Sequence, residues 1–338
     1  MEIKRKDLQE SLEVVKPGLA KDDKIEQATS FAFIKNRVVT YNDEISVSHP
    51  IKGLKLTGAV EAEKLYAFLA KVTNDDIELN VTEKELRLVA GRAKAGFTLQ
   101  SEIKLPLSGE LEETGDWVEL PENFAKFVSF AIPSCSREQS KPRLKCVHVT
   151  SDGIVEASDG YRITRCDLGV ELPIKSFLLQ ASSAVHVVRI NPTKIAEGNG
   201  WIHFGTEEGT VLSCRLLEDE FPDTAAHMTV KGVKILFPNS INDVLTKAMI
   251  FSKRDKAIKE TVYIDIETNK MKVSAKADTG WFEETLNFKY AGDSINFAIS
   301  PTLLEDIMKE TQEGTLGKGK ILFKGEGWSY MSLLKDTK

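Results

Sequence analysis

The five histidines are the residues best suited to catalysis or metal binding, because imidazole titrates near neutral pH and is a common metal ligand. They form neither an HExxH motif nor a Ser/His/Asp order; they are His49, His148, His186, His203 and His227. The four cysteines form no CxxC pair, which favours free thiols in a reducing compartment; they are Cys135, Cys146, Cys166 and Cys214. We therefore expect no catalysis, no metal site and no cofactor.

A glycine-rich stretch at residues 314–320 superficially suggests a phosphate-binding loop. The spacing of its glycines and lysines is wrong for such a loop, and a strand pattern follows it. This stretch therefore adds no candidate nucleotide site.

The most specific local string runs from Glu156 to Thr164 and reads Glu-Ala-Ser-Asp-Gly-Tyr-Arg-Ile-Thr. Its Asp159-Gly160 pair is typical of a tight hairpin turn, because both residues tolerate a positive φ. A second Asp-Gly pair at Asp152 and Gly153 supports the same interpretation. Taken alone, the string predicts a turn rather than a site.

Amphipathic helices recur along the chain and must position these residues. The chain contains three similar segments, and the first helix of each segment carries an apolar stripe at helical spacing. The stripes are Leu8, Leu12 and Val15; Phe124, Phe127, Val128 and Ala131; and Ile241, Val244, Leu245 and Ala248. The second helices are predicted from Leu65, Phe68, Leu69 and Val72; from a Ser182 or Ser183 cap with Val185 and Val188 inward; and from Ser300, Pro301, Leu303, Leu304, Ile307 and Met308.

Charged hairpins recur at Glu83, Glu207 and Glu326, about 120 residues apart, which is the size of a small domain. Strands of alternating polarity flank them; Ile77, Leu79 and Val81 are one example. The alternation is typical of antiparallel sheets with one buried face. The sequence therefore predicts an α+β protein of three similar domains, residues 1–116, 117–232 and 233–338, each an antiparallel sheet backed by two helices.

The composition is that of an ordinary globular protein, with 338 residues, 41% hydrophobic residues and a net charge of −6. No apolar run reaches the roughly 18 residues of a membrane span, and the N-terminus lacks an apolar signal core. We therefore expect a cytoplasmic protein without a membrane partner. The negative charge argues against a protein that holds nucleic acid mainly by bulk attraction.

The ordered set of strings resembles the bacterial DNA polymerase III β subunit, the β sliding clamp, over essentially the whole chain. The strings are Gly91–Leu99, Ala157–Thr164, Arg215–Asp223 and Ala248–Ser252. The resemblance implies the DNA clamp fold, with each chain forming half of a head-to-tail homodimeric ring around double-stranded DNA. It also implies two protein partners, the DNA polymerase III catalytic subunit and the clamp loader.

The resemblance implies three groups of site residues. The DNA-binding candidates are Lys21, Lys24, Lys71, Lys126, Arg137, Lys141, Arg143, Lys253 and Arg254. The pocket for a hydrophobic partner peptide is assigned to Ser158, Gly160, Tyr161, Arg162, Ile163, Met331, Leu333 and Leu334. The dimer interface is assigned to Phe97 and Leu99 on one side and to Ile250 and Phe251 on the other.

Two alternatives stay open. An enzyme is disfavoured by the scattered histidines, whereas a clamp-fold binding or inhibitor protein that does not close a ring fits the same strings. The mass in solution distinguishes such a protein from a sliding clamp, because a ring requires a dimer.

Overall fold

A computed structural model describes residues 1–107, 114–254 and 259–336. Within these residues one order of elements, β-α-β-β-β-β-α-β-β-β, occurs three times. The first repeat comprises β1 (Glu2–Lys4), α1 (Arg5–Val15), β2 (Ser30–Ile34), β3 (Arg37–Tyr41), β4 (Ile45–Pro50), β5 (Gly58–Glu61), α2 (Ala62–Lys71), β6 (Asp76–Val81), β7 (Glu85–Ala90) and β8 (Ala93–Thr98).

The second and third repeats follow the same plan. The second comprises β9 (Val118–Glu119), α3 (Phe124–Ala131), β10 (Cys146–Val149), β11 (Ile154–Ser158), β12 (Arg162–Asp167), β13 (Phe177–Gln180), α4 (Ala181–Ile190), β14 (Lys194–Glu197), β15 (Trp201–Gly205) and β16 (Val211–Arg215). The third comprises β17 (Gly232–Leu236), α5 (Ile241–Ser252), β18 (Val262–Glu267), β19 (Lys270–Ala277), β20 (Gly280–Asn287), β21 (Ile295–Ile299), α6 (Pro301–Met308), β22 (Glu313–Gly317), β23 (Lys320–Gly325) and β24 (Trp328–Leu333). The predicted α+β class is confirmed.

The chain divides into two compact units, residues 1–129 with 171–219 and residues 130–170 with 220–338. In the first unit the strands form two sheets, β1-β6-β7-β8 and β5-β2-β3-β4-β16-β15-β14-β9. In the second unit β10-β11-β12-β24-β23-β22-β17 follow one another in one sheet, and β20-β19-β18-β21 form another. The division falls inside the predicted middle domain (117–232), and the two predicted domain boundaries, at residues 116 and 232, stay a prediction.

Each unit contains a junction at which strands from neighbouring repeats pair side by side. In the first unit β4 pairs antiparallel with β16, from Ile45 opposite Cys214 to Ser48 opposite Val211. In the second unit β12 pairs antiparallel with β24, from Arg162 opposite Ser332 to Cys166 opposite Trp328. At each junction the fourth strand of one repeat meets the last strand of the next repeat.

The predicted apolar stripes form the cores. All eleven residues predicted on the first helices are buried, in α1, α3 and α5. Burying a leucine- or phenylalanine-sized side chain contributes about 1.5–3 kcal/mol, so these faces explain why short helices persist. Ser300 is the N-cap of α6 and Pro301 its first residue, as predicted.

Three details of the predicted elements are wrong. Helix α4 begins after Gln180, so that Ser182 and Ser183 lie inside it, and it buries Ala184 and Val187 while Val185 is 51% exposed. Ala184 and Val187 are three residues apart and share the buried face of the helix, so Val185 lies on another face. Val72 follows the end of α2, and Val81 is exposed at the end of β6.

The three charged hairpins are confirmed. Glu83 lies between β6 and β7, Glu207 between β15 and β16, and Glu326 between β23 and β24. The glycine-rich stretch at 314–320 forms the β22–β23 hairpin, with Gly317 opposite Lys320. That stretch is therefore a turn between strands and not a phosphate loop.

Candidate functional site

The Asp159–Tyr161 turn connects β11 to β12 and is held by its own first side chain. The Asp159 carboxylate accepts hydrogen bonds from the backbone N–H groups of Tyr161 at 2.9 Å and Arg162 at 3.0 Å. Gly160 has φ +90°, a conformation that glycine adopts without strain. The Ser158 hydroxyl accepts from the Gly160 N–H at 3.1 Å and donates to the Arg162 carbonyl at 2.8 Å. The turn is therefore fixed in shape.

A cavity of about 260 Å³ opens beside this turn. Seven of the eight residues predicted for the peptide pocket line it: Ser158, Gly160, Tyr161, Arg162, Ile163, Met331 and Leu333. Pairing of β12 with β24 brings the two groups together, because Ile163 lies opposite Met331 and the Leu333 N–H donates to the Tyr161 carbonyl at 2.8 Å. Ile163 and Met331 line the cavity with apolar atoms and form a buried cluster with Leu322. An apolar concavity with a few polar groups suits a peptide anchor.

Leu334 is placed elsewhere. It does not line the cavity; it packs against the apolar core of the third repeat, and its N–H donates to the Gly319 carbonyl at 2.9 Å. Successive residues of an extended chain point to opposite faces, so Leu333 and Leu334 cannot both reach the cavity. The assignment of Leu334 to the pocket is a misplacement by one residue.

Sequence reasoning missed one wall of the cavity. This wall consists of Leu144, Pro222, Asp223, Thr224 and His227. Pro222 and Asp223 belong to the string Arg215–Asp223, which carried the resemblance without being assigned to the site. The spacing offered no signal for the others, because they reach the cavity only through the folded backbone.

Arg162 connects the turn to two other segments. Its guanidinium donates to Asp159 at 3.1 Å, to Asp306 on α6 at 2.8 Å and to the Pro133 carbonyl. Burial works against the charge, but Tyr330 and the two carboxylates outweigh it and raise the pKa of Arg162 above its ordinary value. A guanidinium that donates to two different carboxylates makes charge-assisted, directional hydrogen bonds to both. Arg162 therefore holds the turn as well as lining the cavity.

Basic residues follow the first helix of every repeat. Lys21 and Lys24 lie between α1 and β2, Arg137, Lys141 and Arg143 between α3 and β10, and Lys253 and Arg254 directly after α5. Lys71 ends α2, and Lys126 lies on α3. All of these except Lys141 are exposed. Lys24 pairs with Asp22 at 3.2 Å, and Arg143 donates to the Glu220 carbonyl at 3.4 Å. Their contact with DNA stays a prediction.

Lys141 lies beside the cavity. Its ammonium lies 6.0 Å from the centre of the Tyr161 ring and 3.2 Å from the Glu138 carboxylate. It is also the nearest group to the open space over Gly160, 4.0 Å from where a β-carbon would stand. The structure thus associates Lys141 with the candidate pocket, a position that its assignment to DNA did not foresee.

The residues predicted for dimerisation lie at or near two sheet edges. Phe97 is on β8, an edge strand, and packs on Phe68 with ring centres 5.9 Å apart. Leu99 follows β8 and is buried, so its side chain is not offered to a partner. Ile250 is 74% exposed on α5, and Phe251 stacks on Phe282 of the edge strand β20. Trp281, which the sequence reasoning missed, is 70% exposed on β20.

The thiols are not a candidate site. All four cysteines are buried and unpaired with one another, and burial raises the pKa of Cys135 to about 12 and raises that of Cys214 as well. A thiol that stays protonated is a poor nucleophile. No group of three or more histidine, cysteine or acidic residues within the described ranges could hold a metal ion. No helix in the described part of the chain is long and apolar enough to cross a membrane.

Several solved structures have the same fold over nearly their full length. The DNA polymerase III β subunit of Pseudomonas aeruginosa matches with a TM-score of 0.85 at 15% identity, covering 99% of each chain. The chain has the sliding-clamp fold. The β subunit of Thermotoga maritima matches at 0.83 and 18% identity, and the polymerase sliding clamp of Bacillus subtilis at 0.83 and 16%, each covering 100% of this chain and 99% of the other. No protein-family model matches the chain. This chain thus has the clamp fold although its sequence is only 15–18% identical to those of these three structures.

Proposed function

We propose that this protein is a DNA sliding clamp. Two chains close head to tail into a ring around double-stranded DNA in the cytoplasm, each contributing three domains with boundaries at residues 116 and 232. The pocket at β12 and β24 holds an apolar peptide of the DNA polymerase III catalytic subunit and of the clamp loader. The ring has no catalytic role; it keeps the polymerase on its template.

The repeated topology carries the proposal. The fourth strand of the first repeat pairs with the last strand of the second, and that of the second pairs with the last strand of the third. This scheme leaves the fourth strand of the third repeat, β20, and the last strand of the first, β8, each at the edge of its sheet. Unpaired edges are liable to join other strands. Pairing of β20 in one copy with β8 in another would have the same form as the β4–β16 and β12–β24 junctions. Two such contacts in a dimer would leave neither β20 nor β8 at an unpaired edge.

The side chains at the two edges favour such a contact. Large apolar side chains are available at the β20 side of this contact, where Ile250 is 74% exposed and Trp281 is 70% exposed. Lys94 is on β8, whereas Glu283 and Glu284 are on β20. Lys247 lies 2.5 Å from Glu284 and Lys272 lies 3.7 Å from Glu283, so these charges contribute little to the contact compared with the apolar side chains.

Charge also fits a protein that slides. A closed ring stays on DNA by topology and needs no tight grip on phosphates, since every neutralised phosphate adds salt-dependent affinity. A protein of net charge −6 with exposed basic residues after each first helix matches that requirement. The candidate contacts are those predicted above, from Lys21 to Arg254.

The test combines mass with topology on DNA. Light scattering is expected to give twice the mass of one chain, and protein loaded on nicked circular DNA is expected to be lost when the circle is cut. Trp281→Asp should give a monomer that is not retained, whereas Val185→Asp, at an exposed valine of α4, should behave as the wild type. A wild-type monomer would refute the ring and favour a clamp-fold binding or inhibitor protein.

A further inference from the structure

A buried carboxylate lies on the strand that leads into the pocket turn. Glu156 of β11 is 4% exposed and precedes Ser158 by two residues, so both lie on one face of the strand. Its two neighbours across the sheet are His148 on β10 and Arg165 on β12. His148 Nδ1 lies 2.9 Å and Arg165 Nη1 2.5 Å from the Glu156 oxygens. The acid is thus held from both sides.

The third partner of Glu156 comes from the wall of the cavity. The hydroxyl of Thr224, itself 3% exposed, donates to the same carboxylate. Three residues earlier, the Phe221 ring stacks on His148 with ring centres 4.9 Å apart and an angle of 29°. The segment 221–224 is therefore fixed at both ends by Glu156 and its neighbour. Pro222, between these ends, and Thr224 line the cavity.

We propose that Glu156 is a positioning residue for the peptide pocket: through Thr224 and His148 it holds the wall segment 221–227 in the shape that receives the peptide. The inference rests on the proposed function, because it concerns the same pocket. Glu156 does not itself line the cavity, and it acts through the residues that do.

The electrostatics show why the wall is held in one position. Burial raises the pKa of Glu156, but the hydrogen bonds from His148 and Thr224 and the charge of Arg165 outweigh it, so the pKa lies below its ordinary value. Asp152 is the other acid near this group, and it interacts with Arg165 and His148. The buried carboxylate is ionised at neutral pH and needs its donors, because an unsatisfied charged group costs more than an ordinary lost hydrogen bond. Thr224 supplies one donor only when the wall is in place.

The sharpest test uses two substitutions at one position. Thr224→Val keeps the shape of the side chain and removes the donor, and Thr224→Ser keeps the donor. A fluorescein-labelled peptide, Gly-Ser-Leu-Ser-Leu-Phe, serves as the probe for affinity by fluorescence anisotropy. Thr224→Val is expected to bind the peptide about tenfold more weakly than Thr224→Ser, the effect of losing a hydrogen bond to a charged group.

Hydrogen exchange of the free protein provides a readout that needs no peptide. Amides of residues 221–227 should exchange faster in Thr224→Val than in Thr224→Ser, while the hairpin at Glu83 stays unchanged. Should Thr224→Val fail to fold, Glu156→Gln takes its place; it keeps an acceptor for Thr224 but removes the charge, and a smaller change in the same direction is expected.

The outcomes separate this inference from the proposed function. If the wild-type protein does not bind the peptide, the proposed pocket is contradicted. Hydrogen exchange then still tests whether Thr224 and Glu156 hold the wall segment in place. Equal exchange in the valine and serine variants overturns the inference. Faster exchange with unchanged peptide affinity also overturns it, because the wall would then not shape the pocket.

Discussion

The turns that lead into β4 and β12 have the same backbone but different chemistry. Asp43 in the first has φ +73° and Gly160 in the second has φ +90°. In each turn the residue before this position accepts two hydrogen bonds from the backbone N–H groups two and three residues further on: Asn42 at 3.2 and 2.9 Å, and Asp159 at 2.9 and 3.0 Å. The two repeats therefore use one solution for entering the junction strand.

The strand opposite each turn is also aligned in the same way. The Arg215 N–H donates to the Glu44 carbonyl at 2.9 Å, and the Leu333 N–H donates to the Tyr161 carbonyl at 2.8 Å. Glu44 and Tyr161 are the residues that follow the positive-φ position. Arg215 and Leu333 are therefore equivalent in the two junctions.

The residues at these two equivalent positions differ between the junctions. Asp43 and Arg215 form an ion pair at 2.8 Å across the first turn. At the second, Gly160 has no side chain and Leu333 is apolar, and both border the cavity. One backbone frame therefore carries a pair of charged side chains at the first junction and two residues that border the cavity at the second.

The largest expected effect tests the ion pairs of the two junctions. Arg162 is nearly buried between Asp159 and Asp306, whereas Arg215 and Asp43 are well exposed. Arg162→Ala leaves two carboxylates without their cation and should lower the free energy of unfolding by about 3 kcal/mol. Arg215→Ala should lower it by about 1 kcal/mol or less. Urea unfolding measures both, and equal losses would contradict the difference between the junctions.

An exchange of side chains tests the comparison directly. Gly160→Asp combined with Leu333→Arg places the ion pair of the first junction in the second. The space above Gly160 is open, with Lys141 Nζ at 4.0 Å from the position of a β-carbon, but the φ of +90° strains any residue with a β-carbon, so the exchange also lowers the free energy of unfolding. The double variant should fold and lose about a hundredfold in affinity for the labelled peptide, since two central contacts are replaced.

The control for the arginine half of this exchange is Leu236→Arg, which makes the same leucine-to-arginine change at a leucine that is 67% exposed on β17 and outside the cavity. It should leave peptide affinity unchanged. Full peptide binding by the double variant would show that Gly160 and Leu333 do not decide where the pocket is.

The smallest effect concerns pH. Burial lowers the pKa of His203, which faces Ser213 of β16 at 2.8 Å and has no partner for Nε2. The unfolded chain takes up a proton as pH falls below 6.5 and the folded protein does not, so stability falls in this range. His49 contributes in the same direction, because burial lowers its pKa as well. Glu156, whose pKa lies below its ordinary 4.5, loses its contribution only as pH falls below that value.

Measuring the free energy of unfolding just below pH 6.5 and again below pH 4.5 tests which groups cause the pH dependence. His203→Gln should flatten the dependence of stability on pH just below 6.5, with His49 retaining part of it. Glu156→Gln should flatten it only below 4.5. Flattening by Glu156→Gln in the higher range would be inconsistent with a carboxylate held ionised by His148 and Arg165.

The elements of the fold were largely predictable, because they depend on local periodicity. Stripes at helical spacing identified the first helices, and the polar turns at Glu83, Glu207 and Glu326 identified three hairpins. The error at α4 arose where Val185, Val187 and Val188 lie so close together that more than one helical face is apolar. Packing in the folded unit selected Val187 and left Val185 outside.

The candidate site was predictable where it is local and not where it is assembled. The residues from Ser158 to Ile163 share one turn and strand, and the resemblance pointed to them. Thr224 and His227 reach the same cavity from another segment, and Leu334 leaves it through the alternation of the strand. The sequence offered no pattern that relates Thr224 to Glu156, because their contact spans 68 residues of chain.

The sequence by itself determined the repeat: three sets of amphipathic helices and hairpins, an acidic total charge and no pattern for catalysis. Local periodicity encodes these properties, since each depends on residues within a few positions of one another. The tertiary structure alone decided that Leu333 and not Leu334 faces the cavity, that Thr224 meets Glu156, and that β8 and β20 stay at sheet edges. These outcomes depend on strand register and long-range pairing, in which a shift of one residue turns every side chain to the other face.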